Sequence, residues 1–156
     1  MLQRLGRWLR AAGYDTVIAE AGEADSELLN RAIKEERLLI TRDRGIAALR
    51  RARGRVILLD CNSLEACARE LSEKIDIDWQ LQPFTRCMSC NTHLHPAKPQ
   101  ERAALPLSKK SYVDAAYFCP ECQKLYWDGS HVQRMREHLE AWHNRFSHLP
   151  VRINHS

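Results

Sequence analysis

The segment ERLLITRDRGIAALRRARGRVILLD, residues 36–60, places two apolar runs on either side of a short arginine-rich stretch. The runs RLLIT and RVILLD are continuously apolar at their centres, which is typical of strands that are covered on both faces. Residues 44–53, between the two runs, are predicted to be helical. This strand–helix–strand order predicts two parallel strands joined by a right-handed crossover.

The same alternation of strands and helices continues on both sides of this segment. Upstream, a helix over residues 2–12 is expected to stop at Gly13, and TVIAE at residues 16–20 is predicted to be a strand from its β-branched content. Asp25 and Ser63 each stand where a helix N-cap is expected. The sequence therefore predicts an α/β fold, in which helices flank a parallel sheet of three strands.

The composition of the chain changes after residue 75 and again after the last cysteine. IDIDWQLQPF, residues 75–84, is expected to be an exit strand or a linker. A final helix with Ser130 as its cap is predicted from the spacing of its apolar residues. We therefore predict three parts: an α/β domain at 1–82, a cysteine-bearing domain at 83–129, and a C-terminal helix and tail at 130–156.

Four of the six cysteines form two Cys-x-x-Cys pairs, which is a strong signal for a metal site. Four thiolates close a tetrahedron around Zn²⁺ and leave no open position, so the ion is expected to be structural. A redox role is disfavoured, because two pairs that share one ion leave no free dithiol. The 28 residues between the pairs predict an insertion between the strands of a zinc ribbon. The predicted ligands are Cys87, Cys90, Cys119 and Cys122, with His93 and His95 expected to be surface residues.

The other two cysteines are expected to be small core residues. Cys61 ends an apolar run, and Cys67 falls inside a helical pattern. The arginine-rich N-terminus lacks the features of a secretory signal, and no apolar run is long enough to span a bilayer. A transit peptide is the competing interpretation of this N-terminus, although the helix also suits a core element. These observations favour a cytoplasmic protein without a membrane segment.

Three aspartates are predicted to lie at one edge of the sheet. Asp43 follows the second predicted strand, Asp60 ends the third, and Asp25 follows the first. Because ligands bind at the carboxyl ends of parallel strands, we expect these carboxylates to converge there. Carboxylates suit Mg²⁺ or Mn²⁺, and such ions activate water for phosphodiester cleavage. The alternative is ordinary turn and cap chemistry, in which the same residues have no catalytic role.

The net charge of the chain is +4, and its basic residues are unevenly distributed. Residues 1–82 contain fourteen Lys/Arg and fourteen Asp/Glu, whereas residues 83–156 contain ten and six. Six arginines lie within residues 42–55, and a basic stretch of this kind suits a phosphate backbone. From charge alone, a solvated helix face is the simpler alternative. With RNA as the partner, the predicted contacts are Arg4, Arg7, Arg42 and Arg44.

Four features taken together resemble the Mut-seven C-terminal RNase family. They are LGRWLRAAGYDT at 5–16, LLITRDR at 38–44, the paired Cys-x-x-Cys motifs, and YWDGSHVQRM at 126–135. The resemblance covers nearly the whole chain. It implies a PIN-like nuclease domain followed by a zinc ribbon, with metal-dependent cleavage of RNA by clustered acids.

The resemblance implies roles for single residues. Asp43 in TRDR matches the strand-end acid of the family, and Asp25 matches the acid that leads into a helix. Ser130, His131 and Arg134 match the family's segment after the ribbon, for which no role is implied. The family opens with an apolar strand that ends in an aspartate, and we expect that strand and that acid to be absent from this sequence.

Two functions follow from these patterns. The first is a metal-dependent ribonuclease of the PIN-like class, with Asp25 and Asp43 as catalytic residues, Mg²⁺ or Mn²⁺ as the catalytic ion and Zn²⁺ as a structural ion. The second is a non-catalytic RNA-binding protein built on the zinc ribbon, because the first acid of the family is missing.

Overall fold

The computed structural model describes residues 1–106, 115–147 and 149, and the chain divides into two compact units. The first, which we call the sheet unit, comprises Met1–Gly6, Val17–Ile77 and the end of the chain from Phe146. The second, which we call the ribbon unit, comprises Arg7–Thr16 and Asp78–Arg145. In the described part of the chain, no helix combines the length and the apolar character needed to cross a membrane.

The sheet unit is built around two short parallel strands, β1 and β2. Leu39 pairs with Val56 and Thr41 pairs with Leu58, so both strands end at the same edge of the sheet. This confirms the strand–helix–strand order predicted for residues 36–60. The elements of the unit are the start of α1 (Leu2–Ala12), α2 (Asp25–Lys34), β1 (Leu39–Thr41), α3 (Arg44–Ala48), a 3₁₀ turn (Arg50–Ala52), β2 (Val56–Leu58) and α4 (Leu64–Lys74).

An apolar cluster holds α2, α3 and the two strands of the sheet unit together. Leu29 of α2 and Ile46 of α3 are buried in it together with Ala52 of the 3₁₀ turn. Burial of a side chain as large as leucine or isoleucine contributes roughly 1.5–3 kcal/mol. This cluster fixes α3 in the crossover between the strands, and its partly buried members are Ile33, Leu39 and Val56.

The strand predicted at residues 16–20 does not form. The structure has no regular secondary structure there, and Val17 is 45% exposed. A strand needs a partner for its backbone groups, whereas the N–H of Thr16 donates to the side chain of Asn91 at 3.1 Å. Within the described residues, the parallel sheet therefore has two strands rather than the predicted three.

The predicted helix caps are partly confirmed. Ser63 caps α4, because its hydroxyl accepts a hydrogen bond from the N–H of Ala66 at 3.1 Å. Asp25 is instead the first residue of α2, where Ala24 is the N-cap and makes no side-chain bond. A carboxylate in the first turn still stabilises α2 through the helix dipole. The last helix begins at Ser130 itself.

Cys61 and Cys67 are buried as predicted, but they form a disulfide bond with each other. Cys61 lies just after β2, and Cys67 lies on the first turns of α4. The turn that Ser63 caps brings the helix back beside the strand end, which is why residues six apart can meet. This pairing depends on where β2 ends and where α4 begins.

The ribbon unit is built on a small antiparallel sheet of three strands, and residues 75–84 form no strand. Residues 107–114 of the predicted insertion, and residues 148 and 150–156 of the predicted tail, lie outside the described residues. The elements of the unit are the rest of α1, β3 (His95–Pro96), α5 (Pro99–Arg102), β4 (Ala116–Phe118), β5 (Leu125–Trp127) and α6 (Ser130–Phe146) up to Arg145.

Three tryptophans form the core of the ribbon unit. Trp79 and Trp142 are almost fully buried, and their ring centroids lie 4.8 Å apart with an edge-to-face geometry. Trp8 of α1 lies 5.1 Å from the ring of Trp142. Aromatic pairs of this kind are worth about 0.5–1.5 kcal/mol beyond the area they bury. They anchor Trp79 and the chain around it in the core of the ribbon unit without a strand.

Gly13 ends α1 as predicted. Its φ is +105°, its N–H donates to the carbonyl of Arg10 at 3.0 Å, and the N–H of Tyr14 donates to the carbonyl of Leu9 at 2.9 Å. This is the Schellman arrangement, which satisfies the last carbonyls of a helix. A Cβ at Gly13 would lie 2.6 Å from the backbone oxygen of Gln82.

The contact at Gly13 predicts a difference between two glycine substitutions. Gly22 also has a positive φ, of +89°, but a Cβ there meets no atom within 4 Å. Gly22→Ala should therefore cost about 1 kcal/mol of strain alone, and Gly13→Ala about 3 kcal/mol or more. Urea denaturation followed by circular dichroism measures both free energies of unfolding. Equal losses in the two variants would contradict the close packing at Gly13.

Candidate functional site

The two Cys-x-x-Cys pairs meet in the ribbon unit. The Sγ atoms of Cys87 and Cys122 are 3.4 Å apart, as are those of Cys90 and Cys119, while Cys90 and Cys122 are separated by 3.8 Å. All four sulfurs lie within 4.8 Å of one another. Within the described residues, this is the one group of three or more Cys, His, Asp or Glu side chains close enough to hold a metal ion.

The two cysteine pairs have the same backbone geometry. In the first, the N–H of Cys87 donates to the carbonyl of Thr92 at 2.8 Å, and the N–H of Asn91 donates back to the carbonyl of Cys87 at 2.8 Å. This tight turn presents both sulfurs of a pair on one side, as the two intervening residues predict. The equivalent bonds of the second pair join Cys119 to Lys124 and Gln123 to Cys119, both at 2.9 Å.

The four thiols differ in acidity. Burial opposes ionisation of Cys87, but the hydroxyl of Tyr126 at 3.1 Å and backbone N–H groups of the turn lower the pKa of Cys87 to about 6. In contrast, burial and the neighbouring sulfurs raise the pKa of Cys122 to about 12. Because Cys122 resists ionisation, a cation is needed to stabilise all four thiolates together.

Arg10 supports the first cysteine pair from α1. Its side chain is buried. Its guanidinium donates hydrogen bonds to three backbone carbonyls, those of Thr16 at 2.8 Å, Met88 at 3.1 Å and Ser89 at 2.7 Å. Burial lowers the pKa of Arg10, and the nearby Cys90 counteracts this shift. Its positive charge offsets the negative charge that thiolates place in the centre. No local pattern in the sequence distinguishes Arg10 from Arg4 and Arg7, which lie on the same helix.

Two of the three aspartates predicted at the edge of the sheet, Asp43 and Asp60, lie at the same edge of the sheet unit. Asp43 and Asp60 each follow the end of their strand by two residues, and the parallel register brings the strand ends together. Both residues are exposed. Asp43 also caps α3, because its Oδ1 accepts a hydrogen bond from the N–H of Ile46 at 3.0 Å. The edge thus presents carboxylates that α3 and the sheet hold in place.

Charged side chains hold the end of β2 and Asp60. Arg44 donates to the Asp60 carboxylate at 3.0 Å, and both side chains are more than 70% exposed. The backbone N–H of Asp60 donates to the carboxylate of Glu70 on α4 at 3.0 Å. Lys74 pairs with Glu70 at 2.7 Å and also donates to the carbonyl of Leu58. The helix α4 therefore fixes the backbone around Asp60, while the Asp60 side chain stays accessible.

The predicted convergence of three carboxylates is not seen. Asp25 is exposed at the start of α2. In the part of the chain that the structure describes, Asp25, Asp43 and Asp60 do not form a group of three within reach of one ion.

The four arginines predicted to bind RNA are all exposed. Arg44 is paired with Asp60, as described above. Arg4, Arg42 and Arg44 belong to the sheet unit, whereas Arg7 belongs to the ribbon unit. Their exposure leaves them accessible to a polyanion in solution.

Comparison with known proteins identifies one family. The family model described as the Mut7-C RNAse domain matches residues 1–139. This range includes β1, β2, Asp25, Asp43 and all four clustered cysteines. No curated protein and no solved structure matches the chain.

The position of Arg10 predicts an effect on metal binding. Arg10→Met should weaken metal affinity by about tenfold or more, because the groups that orient the ligands tune the site. Arg134→Met is the matched control, since Arg134 is exposed on α6 of the same unit. Competition against a coloured chelator measures both affinities. If the two variants bind metal equally well, Arg10 does not support the centre.

Proposed function

The chain belongs to the Mut7-C RNAse domain family, and on this basis we propose that it is a metal-dependent ribonuclease of the PIN-like class. Membership supports ribonuclease-type chemistry with RNA as the substrate. The observation that carries the proposal is the parallel register of β1 and β2, which brings Asp43 and Asp60 to one edge beside Arg44. RNA phosphodiester bonds are hydrolysed at this edge.

The exposed carboxylates of this edge suit Mg²⁺ or Mn²⁺. Magnesium keeps several of its waters and is commonly bound by one or two carboxylates together with phosphates of the substrate. A pair of aspartates therefore fits such an ion without a third carboxylate in contact. Asp43 and Asp60 would hold it from the ends of β1 and β2. When bound, the ion lowers the pKa of water and stabilises the leaving oxygen.

The arginines of the chain hold the phosphates of RNA. Arg42 and Arg44 flank Asp43 in sequence, so phosphates bound by them lie next to the acid. The Arg44–Asp60 pair is exposed and therefore contributes about 0–1 kcal/mol. Arg44 can exchange this weak contact for a phosphate, which frees the Asp60 carboxylate for a cation. Arg4 and Arg7 add positive charge for the same polyanion.

The cysteine centre holds a structural Zn²⁺. Tetrahedral Zn²⁺ with Zn–S bonds of about 2.3 Å requires sulfurs about 3.8 Å apart. The closest Sγ–Sγ distances, 3.4–3.8 Å, are near this value. Four cysteine ligands leave no position for substrate, so the ion supports the fold and takes no part in the chemistry.

A non-catalytic RNA-binding protein is the alternative function. It is supported by the lack of a three-carboxylate group among residues 1–106, 115–147 and 149. A cytoplasmic location and domain boundaries at 1–82, 83–129 and 130–156 remain predictions.

Catalysis at the sheet edge predicts a large effect of Asp43→Asn. Asparagine caps helices as well as aspartate does, so α3 should stay intact while the charge is lost. Cleavage of labelled single-stranded RNA with Mn²⁺ should slow by about a hundredfold or more, as when a charge-stabilising group is removed from an active site. Asp76→Asn is the control, because Asp76 is exposed outside both strand ends.

The same assay distinguishes the two functions. RNA that is bound but left uncut by the unaltered protein and by both variants would support the non-catalytic alternative. Cleavage that persists in Asp43→Asn would remove Asp43 from the mechanism.

Removal of Zn²⁺ should unfold the ribbon unit selectively. All four tryptophans, at positions 8, 79, 127 and 142, belong to that unit, so tryptophan fluorescence reports on it alone. A strong chelator should shift the emission to longer wavelength, because metal-binding free energy there is folding free energy. Zn²⁺ should restore the emission and Mg²⁺ should not. Emission that the chelator leaves unchanged would argue against a structural metal.

A further inference from the structure

We propose that a pocket on the ribbon unit binds one unpaired base of single-stranded RNA, stacked on aromatic rings beside an arginine. The inference rests on the proposed function, because that function supplies RNA as the ligand. It adds a recognition site that is separate from the carboxylates of the sheet unit. It also gives a role to the motif YWDGSHVQRM at residues 126–135.

The pocket is partly open and aromatic. It is a shallow depression that is partly open to solvent and is lined by ten residues. Four of its lining residues carry aromatic rings, which is a large share for one small pocket. Rings of this kind stack on the face of any unpaired base. The four are Phe84, Tyr117, Tyr126 and Trp127.

Tyr117 is the most accessible stacking surface of the pocket. It lies on β4 directly opposite Tyr126 on β5, so the two side chains share one face of the sheet. Tyr117 is 42% exposed, so the face of its ring is accessible to a ligand. Exposed aromatic side chains on a small antiparallel sheet are a common platform for single-stranded RNA.

The charges around the pocket complement a nucleotide. Two arginines and one aspartate line it, which gives a net positive wall. The guanidinium of Arg136 lies 5.0 Å from the ring centroid of Phe84, and this cation–π contact fixes it at the rim. Arg86 is fixed by bonds from its guanidinium to the carbonyls of Gly13 and Asn91. Both cations attract the phosphate that accompanies a bound base.

Asp128 adds an acceptor to the same pocket. Its carboxylate lies 4.0 Å from Arg136, and its side chain is 61% exposed. Bases carry N–H donors on their edges, and a carboxylate accepts hydrogen bonds from them. A purely apolar ligand would offer no hydrogen-bond partner to Asp128 or to the two arginines. A proline-rich peptide also fits aromatic grooves, but it lacks the phosphates that the two arginines favour.

The cysteine centre positions the floor of the pocket. The hydroxyl of Tyr126 lies 3.1 Å from the Sγ of Cys87, while its ring lines the pocket. Trp127 is held close to the next turn, since a Cβ at Gly129 would lie 3.0 Å from its Nε1. Because Gly129 has no Cβ, the indole ring of Trp127 can occupy this position. The metal centre orders the pocket through Tyr126 before RNA binds.

The test uses the metal-loaded full chain carrying Asp43→Asn, so that RNA remains uncut. Tyr117→Leu keeps an apolar side chain and removes the ring, whereas Tyr117→Phe keeps the ring. Binding of a short fluorescent single-stranded RNA should weaken about tenfold in Tyr117→Leu and stay unchanged in Tyr117→Phe. Arg136→Gln should also weaken binding, and Arg134→Gln, exposed on the same helix, should weaken it less.

An abasic RNA separates base binding from a structural effect. The same oligomer with abasic sites should bind Tyr117→Leu and the parent protein equally, because no base is present to stack. Thermal unfolding checks that each variant is folded. A Tyr117→Leu loss of equal size on both oligomers would overturn the inference, because the ring would then act through the fold.

The outcomes also separate this inference from the proposed function. RNA that binds with no dependence on Tyr117 or Arg136 overturns the pocket and leaves the ribonuclease proposal intact. If binding depends on the ring of Tyr117 but the unaltered protein does not cleave RNA, the pocket is supported and catalysis is overturned. No binding of RNA at all, including a case in which only a proline-rich peptide binds, overturns both.

Discussion

The four sulfurs of the ribbon unit, all within 4.8 Å of one another, are the constraint on which that unit depends. Thiolates this close repel one another unless a cation lies between them. The surrounding structure meets that condition with paired turns, a buried Arg10 and the hydroxyl of Tyr126. The same centre also positions the aromatic pocket, because Tyr126 contacts Cys87 through its hydroxyl and lines the pocket with its ring.

The features that the sequence predicts well are those encoded locally. The two strands within residues 36–60 and the cysteine ligands depend on short-range patterns, namely apolar runs and the spacing of Cys-x-x-Cys. The four cysteines that could hold a metal ion can therefore be predicted from the sequence. The edge of the sheet is predictable as well, because the carboxyl ends of parallel strands lie on the same side of a sheet.

The features that the sequence does not predict depend on which residues the folded chain brings together. Thr16 begins the β-branched segment 16–20, but its N–H bonds to the side chain of Asn91 and not to a neighbouring strand. Arg10 is identical in type to other arginines of α1, and its burial follows from carbonyls near residue 89. The Cys61–Cys67 bond depends on where β2 stops and α4 starts. Asp25 is likewise positioned by the packing of α2.

The chain contains sulfur in two oxidation states, and this has a consequence for its assembly. The clustered cysteines must be reduced to bind an ion, whereas Cys61 and Cys67 are joined by oxidation. An ion shields its thiolates from attack, so loading metal first and oxidising afterwards gives both states in one molecule. The reverse order exposes six reactive thiols at once and invites mispaired bridges. Metal binding followed by formation of the Cys61–Cys67 bond is therefore the order of maturation that avoids mispaired disulfides.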